Sequence, residues 1–157
     1  MTMPRLLTAA LLGLGACTTT AVLEEEAARP VGTEEIRYAT SACYGTCPVY
    51  AVTVRPDGTG SFDGQRFTAV QGARSFSFPR EAYGRFAATL APYRPARGVR
   101  AIQPGQPGCE TMATDLPGAE VRWSDGRELR VNYGCNGQAN RAMFDALRQA
   151  PEMLPLA

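Results

Sequence analysis

The chain divides by its apolar pattern. Leu6 to Leu14 is an apolar run with no charged residue, residues 18–33 show no apolar period, and from Ile36 onward apolar and polar positions alternate. Ile36, Tyr38 and Thr40 predict a first strand, and Val49 to Arg55 predicts a second. The Pro56-Asp57-Gly58 triplet that follows is a turn signal. Parity decides its form. A two-residue loop places Thr53 opposite Phe62, whereas a three-residue loop places Val52 opposite Phe62 and Thr53 opposite Ser61. The second choice matches apolar with apolar, and it suits a type I turn with Pro56 at its first central position and a left-handed Gly58. The same reasoning applies to Ser124-Asp125-Gly126, where a three-residue loop pairs Val121 with Leu129 and Ala119 with Val131. A one-residue slip would turn every side chain to the wrong face.

Between these hairpins, Arg66 to Val70 and Arg74 to Phe78 read as short strands around Gln71-Gly72. Pro79 is suited to the first position of a helix. Tyr83, Phe86, Ala87 and Leu90 form its apolar stripe, and Pro92 ends it. Residues 95–109 hold repeated Pro and Gly and predict an irregular loop. A last helix starts near Asn136 or Asn140 and runs to Ala150, with Ala139, Met143, Leu147 and Ala150 as its buried face and Pro151 as its stop. The strands and helices do not alternate as βαβ units. The expected fold is therefore α+β: an antiparallel sheet of five or six strands with two helices packed on one face.

The N-terminal run changes the picture of where this domain works. Arg5 precedes the apolar stretch, and Leu14-Gly15-Ala16-Cys17 follows it. A basic start, an apolar middle and small residues before a cut make a secretion signal. The run is shorter than the roughly 20 residues a membrane-spanning helix needs. With Cys just after the cut, the segment resembles the bacterial lipoprotein signal. Residues 1–16 are then a signal peptide, and Cys17 is the lipidated N-terminus. Stable anchoring takes more than one acyl chain, which the resemblance implies. Thr18 favours the outer membrane over the inner. Residues 17–33, with Glu24-Glu25-Glu26 and Pro30, read as a flexible tether, and 34–157 as a single domain facing the periplasm. The expected partners are the membrane, through the lipid, and an envelope protein or ligand.

Composition excludes several kinds of chemistry. The 157 residues carry a formal net charge of +1, which gives no reason to expect a nucleic-acid partner. There is no His, so Ser-His-Asp and Cys-His catalysis are ruled out within the chain. No cofactor is implied, and no metal site or catalytic set is identified. Trp123 reads as a core anchor. Arg122, Arg127 and Arg130 read as the polar face of an exposed hairpin.

Cysteine supplies the remaining candidate chemistry. After Cys17 the chain holds Cys43, Cys47, Cys109 and Cys135. An even number in an exported domain predicts two disulfides. Of the three possible connectivities, Cys43–Cys47 with Cys109–Cys135 keeps each bridge within one local unit. In an extended strand Cys43 and Cys47 would lie about 13 Å apart, so that bridge demands a tight turn at Gly45. The alternatives are that Cys43 and Cys47 form a redox pair or a metal-handling site, stay as free thiols, or cross-pair with Cys109 or Cys135.

The segment Ser41-Ala42-Cys43-Tyr44-Gly45-Thr46-Cys47-Pro48-Val49-Tyr50, followed by Asp57-Gly58-Thr59, resembles the signature of the bacterial domain-of-unknown-function family 6438. Thr114-Asp115-Leu116-Pro117 resembles that family's second motif. The family-motif positions are Cys43, Gly45, Cys47, Pro48, Asp57, Gly58, Asp115 and Pro117, and the resemblance spans about residues 34 to 150. It implies an exported domain and brings no activity with it. Taken together, the residues favour a non-enzymatic envelope lipoprotein, a binding or structural module. The alternatives are an extracytoplasmic thiol–disulfide or metal-handling protein using Cys43 and Cys47, and an inhibitor of an exported hydrolase.

Overall fold

The computed structural model describes residues 33–156. The expected signal peptide, Cys17 and nearly all of the expected tether lie outside the described residues. Among the described residues seven strands form one sheet: β1 (Ile36–Thr40), β2 (Val49–Val54), β3 (Thr59–Arg66), β4 (Gly72–Ser77), β5 (Val99–Ile102), β6 (Gly118–Trp123) and β7 (Glu128–Asn132), in the spatial order β4-β3-β2-β1-β6-β7-β5. All neighbours are antiparallel except β5 and β7, which are parallel. Helix α1 (Arg80–Leu90) follows β4, and α2 (Arg141–Gln149) follows β7; each runs on into a short 3₁₀ turn.

Both hairpins take the expected three-residue loops. Val52 pairs with Phe62 and Thr53 with Ser61; Val121 pairs with Leu129 and Ala119 with Val131. The inward positions of the sheet therefore carry Ile36, Tyr38, Val52, Val54, Val121, Trp123, Leu129 and Val131. These form one buried cluster with Phe86 and Leu90 of α1 and with Phe144 and Leu147 of α2. Burying a side chain of this size contributes roughly 1.5–3 kcal/mol. The opposite face carries charge instead: Arg37 lies 3.4 Å from Glu120, Arg122 lies 2.9 Å from Glu120, and Arg130 pairs with Glu128. Arg127 belongs to the turn, 3.0 Å from Asp125.

Four expectations are corrected. The sheet has seven strands and is mixed, because β5 lies inside the segment expected to be an irregular loop. Residues 66–70 are not a strand: β3 runs to Arg66, Phe67 takes a left-handed φ of 55°, and the Thr68 hydroxyl donates to the Val70 carbonyl at 2.7 Å. The chain doubles back so tightly there that a Cβ on Gly64 would lie 1.9 Å from the Val70 oxygen; only glycine fits. Pro79 stays extended (φ −61°, ψ 138°) and is the N-cap of α1, one residue before the helix proper. Ala139 is exposed and precedes α2, whose N-cap is Asn140; Phe144 joins Met143 and Leu147 on the buried face in its place.

Candidate functional site

The C-terminal end of β1 and the start of β2 are joined by residues 41–48, closed by the Cys43–Cys47 disulfide with Cα atoms 5.7 Å apart. Gly45 makes this turn with φ 139°. Thr40 braces it, donating to the Pro48 carbonyl at 2.8 Å and accepting from the Tyr50 N–H at 3.1 Å. The loop is docked on the second motif segment. Ser41 N–H donates to the Gly118 carbonyl at 3.0 Å and Tyr44 N–H to the Asp115 carbonyl at 3.3 Å. Gly118 N–H returns a 2.7 Å bond to the Ser41 hydroxyl. Two segments some seventy residues apart in sequence, 41–50 and 114–118, thus meet because β6 pairs with β1.

The second disulfide, Cys109–Cys135, holds the far side of this arrangement. Met112 pairs with Cys135 as an isolated bridge, and Ala113 N–H donates to the Gly134 carbonyl at 3.0 Å. Asn136, in the left-handed region with φ 43°, accepts the Thr111 N–H at 2.7 Å. Residues 109–117 are in this way laid against the end of β7.

Where these parts converge there is a cavity of about 280 Å³, lined by Tyr38, Thr40, Cys47, Pro48, Tyr50, Pro117, Gly118, Tyr133, Arg148 and Pro151. A second hollow, of about 470 Å³, shares Pro48, Tyr50, Arg148 and Pro151 and adds Phe62, Phe67, Leu154 and Leu156. Together they form one groove across the end of the sheet, with Arg148 at its middle. The Arg148 guanidinium lies over the Tyr133 ring, 4.2 Å from its centre, and Phe144 meets the same ring edge-on at 5.2 Å. The Tyr38 and Tyr133 hydroxyls are 3.4 Å apart, longer than a good hydroxyl pair. Burial, followed by the charges of Tyr133 and Glu152, pushes the Tyr50 phenol up to about 12. Burial also raises Tyr38 and Tyr133. All three therefore remain protonated hydroxyls at neutral pH.

Of the motif positions, Cys43, Gly45, Cys47, Pro48, Asp115 and Pro117 gather at this site. Asp115 acts there through its backbone: its φ is 69°, and its exposed carboxylate accepts only the neighbouring Thr114 hydroxyl, at 3.0 Å, among the described residues. Asp57 and Gly58 lie at the opposite end of β2. Asp57 accepts the Thr59 N–H at 2.9 Å and the Thr59 hydroxyl at 2.7 Å, and Gly58 has φ 88°, so both belong to the hairpin turn. Sequence reasoning missed Tyr38, Tyr133 and Arg148. Their only signal was inward strand parity for the tyrosines and a lone cation in the last turn of α2. Among the described residues no group of three His, Cys, Asp or Glu side chains is placed to hold a metal.

The two bridges differ in access. Cys43 and Cys47 are half-buried on a loop whose Tyr44 is 88% exposed, whereas Cys135 is fully buried. Under graded dithiothreitol with iodoacetamide trapping, Cys43 and Cys47 should alkylate first and Cys109 with Cys135 last. Peptide mass mapping checks the order; simultaneous loss of both bridges would contradict it.

Residues 34–154 match the family model described as a domain of unknown function (DUF6438). No curated protein matches the chain.

Proposed function

This chain belongs to the DUF6438 family, and on that premise we propose that it is a non-enzymatic module of the bacterial envelope, held by lipid on Cys17 and binding a partner in the groove at the end of its sheet. The carrying observation is polarity along β1. Its N-terminal end, where the chain enters the domain, lies beside the second hairpin turn: Glu35 accepts the Ser124 N–H at 3.0 Å. The groove lies toward its other end, where Tyr38 and Thr40 line it. On a domain tethered through residues 17–33, the groove then lies toward the end of β1 opposite the one where the chain enters. The sequence supports the address, with a signal over 1–16 and Cys after Ala16. The groove itself is apolar, concave and furnished with few polar groups, as binding sites are.

The test is positional. A photo-crosslinking residue at Phe67, on the groove wall, should capture an envelope component in cells, and the same residue at Asp57, on the opposite turn, should not. Capture from both or from neither would remove the groove from the function.

The half-exposed Cys43–Cys47 bridge beside the groove supports a second reading, thiol–disulfide exchange. A reduction potential below about −300 mV for this pair would mark it as structural.

A further inference from the structure

Resting on the reading of the groove as the binding site, we infer that its ligand is a monocarboxylate with an apolar, ring-sized body. The walls are the tyrosine rings with Pro48, Pro117 and Pro151, which offer nothing to a hydrated polar body. The polar groups are donors in excess. Tyr38 and Tyr133 have one long contact between them, so at least one of their two O–H protons lacks an acceptor there. Tyr50 adds a third hydroxyl to the lining, and no hydrogen bond to it is found among the described residues. Arg148 has one carboxylate neighbour among them, Asp145 at 3.4 Å, well beyond the 2.7–2.9 Å of a strong charge-assisted bond. Among the described residues, no carboxylate makes a short charge-assisted bond to this cation or a hydrogen bond to the three phenols around the apolar hollow.

Size and charge narrow the class. A cavity of about 280 Å³ holds more than the benzene-sized guest that a cavity of about 150 Å³ accepts, which leaves room for a ring and a short acid arm. Glu152 lines the adjoining hollow, so a second negative charge on the ligand would meet a like charge. This favours one carboxylate over two. A free small molecule and the last residue of a polypeptide both carry such an acid; the chemistry is shared.

The experiment titrates the folded protein with 3-phenylpropionate, 3-phenylpropionamide, 3-phenylpropylamine and a short peptide ending in a free phenylalanine carboxylate, following tyrosine ring resonances by NMR. The expected result is binding of 3-phenylpropionate about tenfold or more tighter than of the amide, with no binding of the amine. Arg148→Gln should bring the carboxylate down to the amide's affinity, and Tyr133→Phe should weaken it several-fold. Tighter binding of the peptide identifies a chain terminus as the source, and tighter binding of 3-phenylpropionate a free acid. Equal binding of amine and carboxylate, or no binding of either acid, overturns the inference. If Phe67 crosslinking persists in that case, the groove remains a binding site for a different chemistry.

Discussion

Replacing Cys109 and Cys135 together by Ala should lower the domain's melting temperature by roughly 10–15 °C, the larger of the two disulfide effects. The bridge spans a sequence separation of 26. Chain-entropy arithmetic for a loop of that length gives about 3.5 kcal/mol, against about 2 kcal/mol for the separation of 4 between Cys43 and Cys47. A small domain is stable by about 5–15 kcal/mol in all. For a domain of this size each kcal/mol is about 3–5 °C. Cys135 is also fully buried, so the double variant loses packing as well as the constraint. Calorimetry of the two double variants under non-reducing conditions reads the comparison. The larger loss should fall on Cys109→Ala/Cys135→Ala; a shift below about 3 °C there would show that the bridge does not constrain the unfolded chain. The bridge also lays residues 109–117 against the end of β7, so the same variant should weaken binding in the groove, with Pro117 and Gly118 less firmly held.

Local signals were readable and long-range ones were not. Ile36 to Thr40 and both hairpins alternate cleanly and are closed by turn triplets, so parity alone gave their registers. Strand β5 had no such signal. It is a parallel edge strand whose Val99 is 56% exposed, its partner β7 begins at Glu128, and Gly98 and Pro104 flank it like a loop. The turn after β3 depends on Phe67 in a left-handed conformation, which aromatic residues seldom adopt and which no pattern announces. The site divides in the same way. Cys43, Cys47, Pro48, Asp115 and Pro117 stood out as motif residues. Tyr38, Tyr133 and Arg148 each look like ordinary core or surface positions until the order of the sheet puts β1 beside β6 and α2 over the strand ends. Asp57 and Gly58 shared a motif with the site but serve the turn, because a family signature records fold and site alike.

The Arg94→Ala variant should be destabilised by about 2–3 kcal/mol at neutral pH, and the deficit should shrink in acid. Arg94 follows the 3₁₀ turn after α1 and gathers two distant pieces of chain. It donates to Glu34 at 2.7 Å, where the chain enters the domain, and to Asp125 at 2.7 Å in the second hairpin turn. Its guanidinium also lies over Trp123, 5.5 Å from the ring centre. The side chains of Arg94, Glu34 and Asp125 are 17%, 21% and 24% exposed, so the network lies between a surface pair, worth about 0–1 kcal/mol, and a buried one, whose breakage costs about 3–5 kcal/mol. Without Arg94, the carboxylates of Glu34 and Asp125 lose the cation they share, while Arg127 stays 3.0 Å from Asp125. The pH dependence follows from Asp125. Burial works to raise its pKa, but the Arg127 N–H, the Arg94 hydrogen bond and both guanidinium charges outweigh it and hold the carboxyl below its ordinary value of 3.8. A carboxyl depressed on folding contributes its full stability above the unfolded value and loses it as pH falls through the folded one. Wild type should therefore lose the Asp125 part of its ion-pair advantage as pH falls below about 3.8, and keep the packing of Arg94 on Trp123. Urea denaturation of wild type and Arg94→Ala at neutral pH and at successively lower pH reads the difference directly. A gap that stayed constant into strong acid would assign the whole effect to packing and leave the Asp125 pair without weight.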